Sequence, residues 1–182
     1  MAGKLEGRTI AFLATDGVEQ VELVEPRKAI EEAGAKTELI GLEDGDIQGF
    51  DHLDHADTFK VDKAVKDADV ADYDGLVIPG GVANGDFLRA DEDAVRFTAA
   101  FAEARKPIAA ICHAPWVLVE AGIVKGRTIT SFPSLQTDVR NAGGTWVDEE
   151  VHVDQGLVTS RKPDDIPAFS AKAIEEFCEG AH

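Results

Sequence analysis

Cysteine is scarce in this chain of 182 residues, which contains only Cys112 and Cys178. Two cysteines are too few for a disulfide framework, and they are also too few for a zinc site built from four thiolates. Proteins of reducing compartments keep their few cysteines as free thiols. The cysteine content therefore predicts a cytoplasmic protein without a structural metal site.

Basic residues are also few, since 18 lysines and arginines stand against 35 aspartates and glutamates and the formal net charge is −17. A chain of this charge repels the phosphates of nucleic acids and the anionic headgroups of lipids. We therefore expect no nucleic-acid partner and no membrane partner.

Long apolar runs are missing as well. The longest candidate, residues 108–124, is interrupted by His113, Pro115 and Glu120, whereas a membrane-spanning helix needs roughly 18 apolar residues in succession. In residues 1–8, charged residues interrupt the chain before an apolar signal core could form. We expect neither a membrane span nor a secretory signal.

The chain has instead the composition of a globular protein, with 44% apolar and 29% charged residues, and its length predicts a single domain over residues 1–182. Apolar segments of strand length alternate with amphipathic segments of helix length. Strands are predicted at residues 9–14, 36–42, 75–79, 107–111 and 127–132, a hairpin at 151–160, and helices at 19–33, 91–104, 113–121 and 163–177.

This alternation is typical of an α/β protein whose mostly parallel sheet is covered by helices on both faces. Residues 44–72 fit the alternation worst, because this stretch is acidic and has no long apolar run. It is expected to hold short strands and a helix at the edge of the sheet.

Cys112 lies where the predicted strand 107–111 changes into the next helix. Ligands of open α/β sheets bind at the carboxyl ends of strands, and a sharp strand-to-helix turn exposes a nucleophile above the sheet. The N-terminus of a helix also favours a thiolate, so we expect a pKa for Cys112 below the usual value of about 8.5. The alternative is a small buried apolar residue, which is our interpretation of Cys178.

Gly80 and Gly81 follow the neighbouring predicted strand and reach the same edge of the sheet. The amides near Gly81 and His113 are therefore candidates for holding an oxyanion, although a pair of glycines after a strand is also an ordinary turn. The pair lacks the Lys-Ser/Thr of a phosphate-binding loop and the spacing of a dinucleotide fingerprint. We predict no nucleotide and no other cofactor.

Three segments together resemble the ThiJ/PfpI superfamily: Ala109–Pro115 around Cys112, Ile78–Gly81, and the first helix with Glu19, Glu22 and Pro26. The similarity extends over nearly the whole chain, and the chain is most similar to the PfpI branch of protease-like and deglycase-like stress proteins. The resemblance implies a three-layer sandwich with a flavodoxin-like, mostly parallel sheet, related to class I glutamine amidotransferases. It also implies a homodimer or a higher homo-oligomer.

The resemblance further implies a nucleophilic cysteine, which Cys112 matches, and a glutamate of the first helix that hydrogen-bonds it. Glu22 stands four residues before Pro26 and matches that glutamate. Glu19 lies one helical turn earlier and is expected on the same face of the helix.

In protease-like members, an acid shortly after the two glycines orients the histidine from a neighbouring subunit. The corresponding residue here is Gly85, and Asp86 is the nearest acid. The sequence therefore leaves open whether Asp86 completes a peptidase triad with His113.

Two other groups of histidines and acids have simpler explanations. Two histidines stand among aspartates in residues 51–57, with a spacing that metal sites also use, but such a run is more often a solvated loop. His152 and Asp154 lie in the predicted hairpin, where a solvent-facing strand histidine is expected. We predict no metal site.

We predict a cysteine-dependent stress-response hydrolase that acts on carbonyl electrophiles, either glyoxal and methylglyoxal adducts on proteins or the free dicarbonyls. Cys112 would attack the carbonyl carbon, the amides around Gly81 and His113 would hold the oxyanion, and Glu22 or His113 would move protons. Two alternatives are a cysteine peptidase that cleaves short peptides and a redox-responsive or chaperone-like stress protein without enzymatic activity. An acid bonded to His113 favours the peptidase, whereas a carboxyl beside the Cys112 sulfur without that acid favours carbonyl or redox chemistry.

Overall fold

The computed structural model describes residues 3–182. Its strands are β1 (Thr9–Leu13), β2 (Val18–Glu19), β3 (Lys36–Gly41), β4 (Asp46–Asp51), β5 (Asp54–Lys60), β6 (Lys63–Ala64), β7 (Gly75–Ile78), β8 (Ile108–Ile111), β9 (Thr128–Ile129), β10 (Thr145–Trp146), β11 (His152–Asp154) and β12 (Leu157–Ser160). Its helices are α1 (Gln20–Glu32), α2 (Val82–Ala90), α3 (Glu92–Glu103), α4 (Pro115–Glu120), α5 (Gln136–Asn141) and α6 (Ile166–Glu179).

Over residues 3–182, the central sheet has seven strands in the order β11-β12-β8-β7-β1-β3-β6. All neighbours in it pair in parallel except β11 and β12, which form the predicted antiparallel hairpin. Helices α1 and α6 pack against each other and the sheet on one face, and α2, α3 and α4 cover the other face. The predicted three-layer sandwich with a mostly parallel sheet is confirmed.

Burial on both faces explains why the central strands have continuous apolar sequences. Every residue of β7 and β8 is buried. One core contains Phe12 and Phe177 between the sheet and α1 and α6, and the other contains Tyr73 and Phe101 on the opposite face. A strand that is covered on both sides cannot alternate apolar with polar residues, because no side of it faces water.

Most of the predicted elements are confirmed to within two residues, but two predictions need correction. The strand expected at residues 127–132 shrinks to β9, which leaves the central sheet and pairs with β10. The last helix begins at Ile166 rather than at Pro163, because Pro163 opens a turn of 3₁₀ helix instead.

The sequence did not predict α2, α5 or the long hairpin of β4 and β5. That hairpin lies in residues 44–72 and joins β2 in a second, three-stranded sheet. The helix expected in this stretch is replaced by two short 3₁₀ turns at residues 65–67 and 70–72. Among the helices of residues 3–182, none combines the length and the apolar character that a bilayer crossing requires.

Candidate active site

Cys112 occupies the turn between β8 and α4 in a left-handed backbone conformation, with φ of 64°. Its N–H donates to the carbonyl of Ser160 at 3.1 Å, and its own carbonyl accepts the N–H of Phe132 at 2.8 Å. These bonds hold a conformation that costs a residue other than glycine roughly 1–2 kcal/mol. The structure thus has the sharp strand-to-helix turn that the sequence predicts, and Cys112 is 8% exposed there.

His113 is placed to exchange a proton with Cys112, because its Nδ1 lies 3.1 Å from the sulfur. The ring stacks on Phe132 at 4.6 Å and meets the edge of Trp116 at 5.2 Å between centroids. Burial lowers the pKa of His113, so the imidazole is neutral at pH 7 and available as a proton acceptor. No carboxylate within residues 3–182 forms a hydrogen bond or ion pair with this ring.

Glu22 of α1 is completely buried, and its carboxyl faces Cys112 and Gly80. Neither neighbour is placed for a hydrogen bond of ordinary geometry, so both carboxyl oxygens lack a partner. Burial, and secondarily the charge of Glu19, raise the pKa of Glu22 to about 8. A carboxyl in this environment is therefore protonated at neutral pH.

The expected lowering of the Cys112 pKa is wrong for this structure. Burial, followed by the charge of Glu22, raises the pKa of the thiol. The opposing contribution comes from the amides of Gly81 and His113, which face the sulfur and lower its pKa by less. The loss of solvent therefore outweighs the stabilisation of the thiolate by these amides.

The two glycines before α2 are required because other atoms of the protein occupy the space that a Cβ would need. A Cβ on Gly80 would lie 2.5 Å from the Glu22 Oε1 and 2.6 Å from the Cys112 Cβ. Gly81 has φ of 98°, and a Cβ there would overlap the carbonyl of Gly17. Because Gly81 stays bare, its amide and that of His113 both face the Cys112 sulfur.

Asn84 is a residue of the site that the sequence analysis missed. It is fully buried in α2, and its Oδ1 accepts the N–H of Thr15 at 2.8 Å. Its Nδ2 donates to the carbonyls of Pro79 at 2.9 Å and Gly80 at 3.1 Å. Asn84 thereby fixes the turn that carries the Gly81 amide. Only knowledge of α2 would have pointed to it, because Asn-Gly reads as a loop in the sequence.

Glu19 and Asp86 make no contact with Cys112 or His113 among the hydrogen bonds and ion pairs of residues 3–182. Glu19 precedes α1 as the last residue of β2, and its carboxylate accepts the N–H of His52 in the β4–β5 turn at 3.2 Å. Asp86 is exposed on α2 and has no bond to His113. A side chain at Gly85 would meet the carbonyl of His113 at 2.8 Å, so this position is closed to the glutamate of protease-like members.

The other cysteine and the remaining histidines are also placed. Cys178 is exposed rather than buried, because the neighbouring Phe177 takes the apolar face of α6. His52 lies in the exposed β4–β5 turn, as a solvated segment would. His152 is half-buried in β11 and bonds Glu149 at 2.8 Å, so it is less solvent-facing than predicted.

Five cavities of about 280 to 530 Å³ lie on the described surface. None of these five is lined by Cys112 or His113.

The fold is an α/β sandwich, and its candidate site is centred on a cysteine at a strained turn. A histidine lies beside this cysteine and a buried glutamate faces it. These features place the chain among α/β proteins whose site is built around a cysteine. A family model described as the DJ-1/PfpI family matches residues 8–176, and the chain belongs to this family. The resemblance noted in the sequence is thus confirmed.

Two curated relatives cover nearly the whole chain. General stress protein 18 of Bacillus subtilis (strain 168) is 42% identical over 170 residues, which are 92% of this chain and 96% of that protein. Deglycase TK1284 of Thermococcus kodakarensis is 39% identical over 166 residues, which are 91% of this chain and 97% of that protein.

A solved structure confirms the fold. It is the crystal structure of a two-domain protein from Anabaena variabilis with DJ-1/ThiJ/PfpI-like and ferritin-like domains, and it matches with a TM-score of 0.88 at 30% identity. The match covers 92% of this chain but 47% of that longer chain.

Proposed function

We propose that this protein is a cysteine-dependent hydrolase of the stress response that acts on carbonyl electrophiles, either dicarbonyl adducts on proteins or free dicarbonyls. The observation that carries the proposal is the arrangement around the sulfur: Nδ1 of His113 lies 3.1 Å from it, and the buried carboxyl of Glu22 faces it. The relatives named as a stress protein and a deglycase support the proposal.

The first chemical step follows from the protonation states. Neutral His113 accepts the thiol proton as the Cys112 sulfur bonds to the carbonyl carbon. Because this base is in contact with the sulfur, the thiol can react although its pKa is raised. The carbonyl oxygen takes the electron pair, and the amides of Gly81 and His113 hold it. The protonated carboxyl of Glu22 is then placed to deliver a proton to the adduct.

Resolution of the adduct requires a second proton movement. With a free dicarbonyl, the adduct is a hemithioacetal, and moving a proton from one carbon to the next converts it into a thioester. Once Glu22 has given up its proton, its carboxylate is the base available for this transfer. Water then hydrolyses the thioester to a hydroxy acid and restores the thiol.

The peptidase alternative has one relative's name in its favour, Putative cysteine protease YraA of Bacillus subtilis (strain 168), which is 44% identical over 168 residues, but the surroundings of His113 support it less. Hydrolysis of an amide by a cysteine and histidine is usually assisted by a group that orients the ring. In the part of the chain that the structure describes, no acid bonds His113, and Asp86 points to solvent. Only a second copy of the chain could bring Asp86 to this ring. A redox or chaperone role without enzymatic activity has no separate observation in its favour.

The deciding experiment compares Cys112→Ser with Cys178→Ser. The exposed Cys178 is a matched control, because it is the other thiol of the chain and lies on α6. We expect Cys112→Ser to lose methylglyoxal turnover and protein deglycation by at least about a hundredfold, and Cys178→Ser to keep both. Equal activity of Cys112→Ser and the unsubstituted protein in both assays would overturn the proposal, and peptide cleavage without dicarbonyl turnover would favour the peptidase.

A further inference from the structure

A cavity of about 450 Å³ lies at the end of the central sheet opposite to the candidate active site. Its walls include Ile108 and Leu157, the first residues of β8 and β12, whereas Cys112 follows the last residue of β8. The two strands are parallel neighbours, so their amino ends meet at this end of the sheet. The cavity is thus separated from Cys112 by the four residues of β8, which span roughly 13 Å.

The walls of the cavity carry positive charge. They include Arg105, Lys106, Arg127 and the imidazole of His182, and no aspartate or glutamate of residues 3–182 lines the cavity. The ring of His182 is already paired with Glu176 at 2.9 Å. This basic lining is a local exception in a chain with a net charge of −17, which repels anions at a distance. An anion in the cavity must therefore be held by direct contacts with the lining.

Arg105 and Arg127 keep guanidinium N–H groups for a ligand. Within residues 3–182 neither forms an ion pair, whereas carboxylates pair with Arg8, Arg27, Arg89, Arg96 and Arg161. In the same range, the side chain of Arg105 forms no hydrogen bond, and Arg127 donates one, from Nη1 to the carbonyl of Asp154 at 3.0 Å. Lys106 is more fully engaged, because its Nζ donates to two backbone carbonyls at 2.8 and 2.7 Å. A guanidinium group can donate to two oxygens of one phosphate at once.

The backbone at Arg105 indicates that this residue is kept for a purpose other than stability. Arg105 follows α3 with φ of 57°, and its N–H and that of Lys106 donate to the carbonyls of Ala102 and Phe101. The same pair of bonds ends α1, α4 and α5, where the residues at the equivalent position are Gly34, Gly122 and Gly143. Glycine adopts this conformation freely, whereas arginine does so at a cost in free energy.

A second strained residue lines the same cavity. Gln155 and Gly156 form the two-residue turn between β11 and β12, with φ of 48° and 80°. Such turns favour asparagine or glycine at the position of Gln155. Among residues 3–182, the residues other than glycine with positive φ are His52, Cys112, Arg105 and Gln155. Strained residues gather at functional sites, and here one is the candidate nucleophile and two line the basic cavity.

We propose that this cavity binds a phosphate dianion, either the free ion or the monoester of a small molecule, through the guanidinium groups of Arg105 and Arg127. The volume lies within the range of small-molecule sites, about 300–1,000 Å³. The amide of Gln155 adds an uncharged donor to the lining. The proposal does not involve Cys112, so it stands or falls separately from the proposed function.

Calorimetric titration of the whole chain with inorganic phosphate and with glycerol 3-phosphate tests the proposal, with glycerol as the uncharged reference. At low salt and about pH 7.5, where a phosphate monoester is mostly dianionic, we expect one site per chain. The affinity should fall as salt is added. Tighter binding of glycerol 3-phosphate than of phosphate assigns the cavity to a phosphorylated small molecule, and the reverse order assigns it to the free ion.

Arg105→Gly is the decisive variant, because it removes the guanidinium group and relieves the left-handed backbone. We expect it to weaken binding at least about tenfold, as the loss of a charge-assisted hydrogen bond does, and to raise the midpoint of thermal unfolding. Arg127→Lys keeps the charge but loses the paired donors, and it should weaken binding by a smaller factor. Arg140→Gln is the matched control, since this exposed arginine of α5 lies outside the cavity and has no ion pair within residues 3–182.

The outcomes decide whether the anion binds in this cavity. If neither anion binds the unsubstituted chain, the proposal is wrong. An equal loss of affinity in Arg105→Gly and Arg140→Gln assigns binding to the net charge of the chain and overturns it, as does unchanged affinity in both Arg105→Gly and Arg127→Lys. Cys112→Ser should bind phosphate as the unsubstituted chain does, and a loss of binding there would place the anion at the reactive turn instead of this cavity.

Discussion

Two buried acids within contact of each other dominate the site at the scale of single residues. Burial raises the pKa of both Glu22 and Cys112, and ionising either one opposes ionising the other. Since the pKa of Glu22 is about 8, its carboxyl holds a proton at pH 7 and the thiol is spared that repulsion. The pair therefore has one proton, on the Glu22 carboxyl, that is lost as the pH rises through about 8.

Replacing Glu22 with glutamine should make Cys112 ionise at lower pH. The substitution keeps the volume and removes the charge that opposes the thiolate, while the desolvation of the sulfur remains. We expect the midpoint of Cys112 alkylation by iodoacetamide to fall by about one pH unit, measured by mass spectrometry of each cysteine over a pH series. Glu25→Gln should leave the profile in place, and superimposable profiles for Glu22→Gln and the unsubstituted protein would remove Glu22 from the site.

Glu22→Gln should also change how the free energy of unfolding depends on pH. The pKa of Glu22 is raised by folding, so its contribution is fully present below its unfolded value of 4.5 and is lost as pH rises through about 8. We therefore expect Glu22→Gln to gain stability relative to the unsubstituted protein between pH 5 and pH 9. The difference reaches on the order of 5 kcal/mol at most, because one pKa unit corresponds to about 1.4 kcal/mol.

Urea unfolding at several pH values measures this difference in free energy. Glu25→Gln supplies the baseline for losing an exposed acid from the same helix. A difference between Glu22→Gln and the unsubstituted protein that stays constant from pH 5 to pH 9 would contradict a raised pKa for Glu22.

At the scale of elements, α2 positions the oxyanion donors through Asn84. Asn84→Ala removes three hydrogen bonds to the backbone of β7's end and the β1 loop, and leaves buried groups unpaired. We expect a loss of about 2–4 kcal/mol in unfolding free energy and a fall in kcat/KM of about tenfold or more with little change in the pKa of Glu22. Asn141→Ala, at the exposed end of α5, should change neither quantity.

Parallel strands and their helices were predictable because burial imposes a pattern on consecutive residues. The short apolar sequences of β7 and β8 predict strands without knowledge of tertiary contacts. Helix α2 was missed because Asn84 and Gly85 read as a turn, whereas in the fold Gly85 is needed for contact with the carbonyl of His113. A contact between residues far apart in the sequence thus requires glycine at this position, and no local sequence pattern indicates that contact.

The candidate site could be predicted where its residues follow from the local order of strands and turns. Cys112, His113 and Gly81 follow from strand ends, whereas Glu22 was found through the family resemblance. The sign of the Cys112 pKa shift was missed, because desolvation depends on everything packed around the sulfur and a sequence shows only the neighbouring turn.

At the scale of the whole molecule, five large apolar side chains are exposed within residues 3–182. They include Leu53 at the β4–β5 turn, which is 93% exposed, and Val82, Phe87, Phe132 and Val21. Exposed large apolar side chains of a chain with 35 acids are candidates for a surface that another chain covers. They are consistent with the homo-oligomer that the family resemblance implies, which we propose for this chain.

Light scattering should therefore give a mass at micromolar concentration of at least twice the 19.5 kDa of one chain. Phe87→Asp places a charge among these side chains and should shift the mass toward that of one chain without unfolding it, because Phe87 is half exposed. Thr145→Asp, exposed on β10, is the control. A mass near 19.5 kDa for the unsubstituted protein would contradict the assembly.

The left-handed backbone at Cys112 has a consequence for the history and the engineering of this chain. Glycine adopts that conformation without strain, so Cys112→Gly should be more stable than Cys112→Ala by about 1 kcal/mol, and both lack the nucleophile. Random variation screened only for heat resistance would thus drift toward glycine at this position. A cysteine that persists there across such a screen would have to be held by selection for its chemistry.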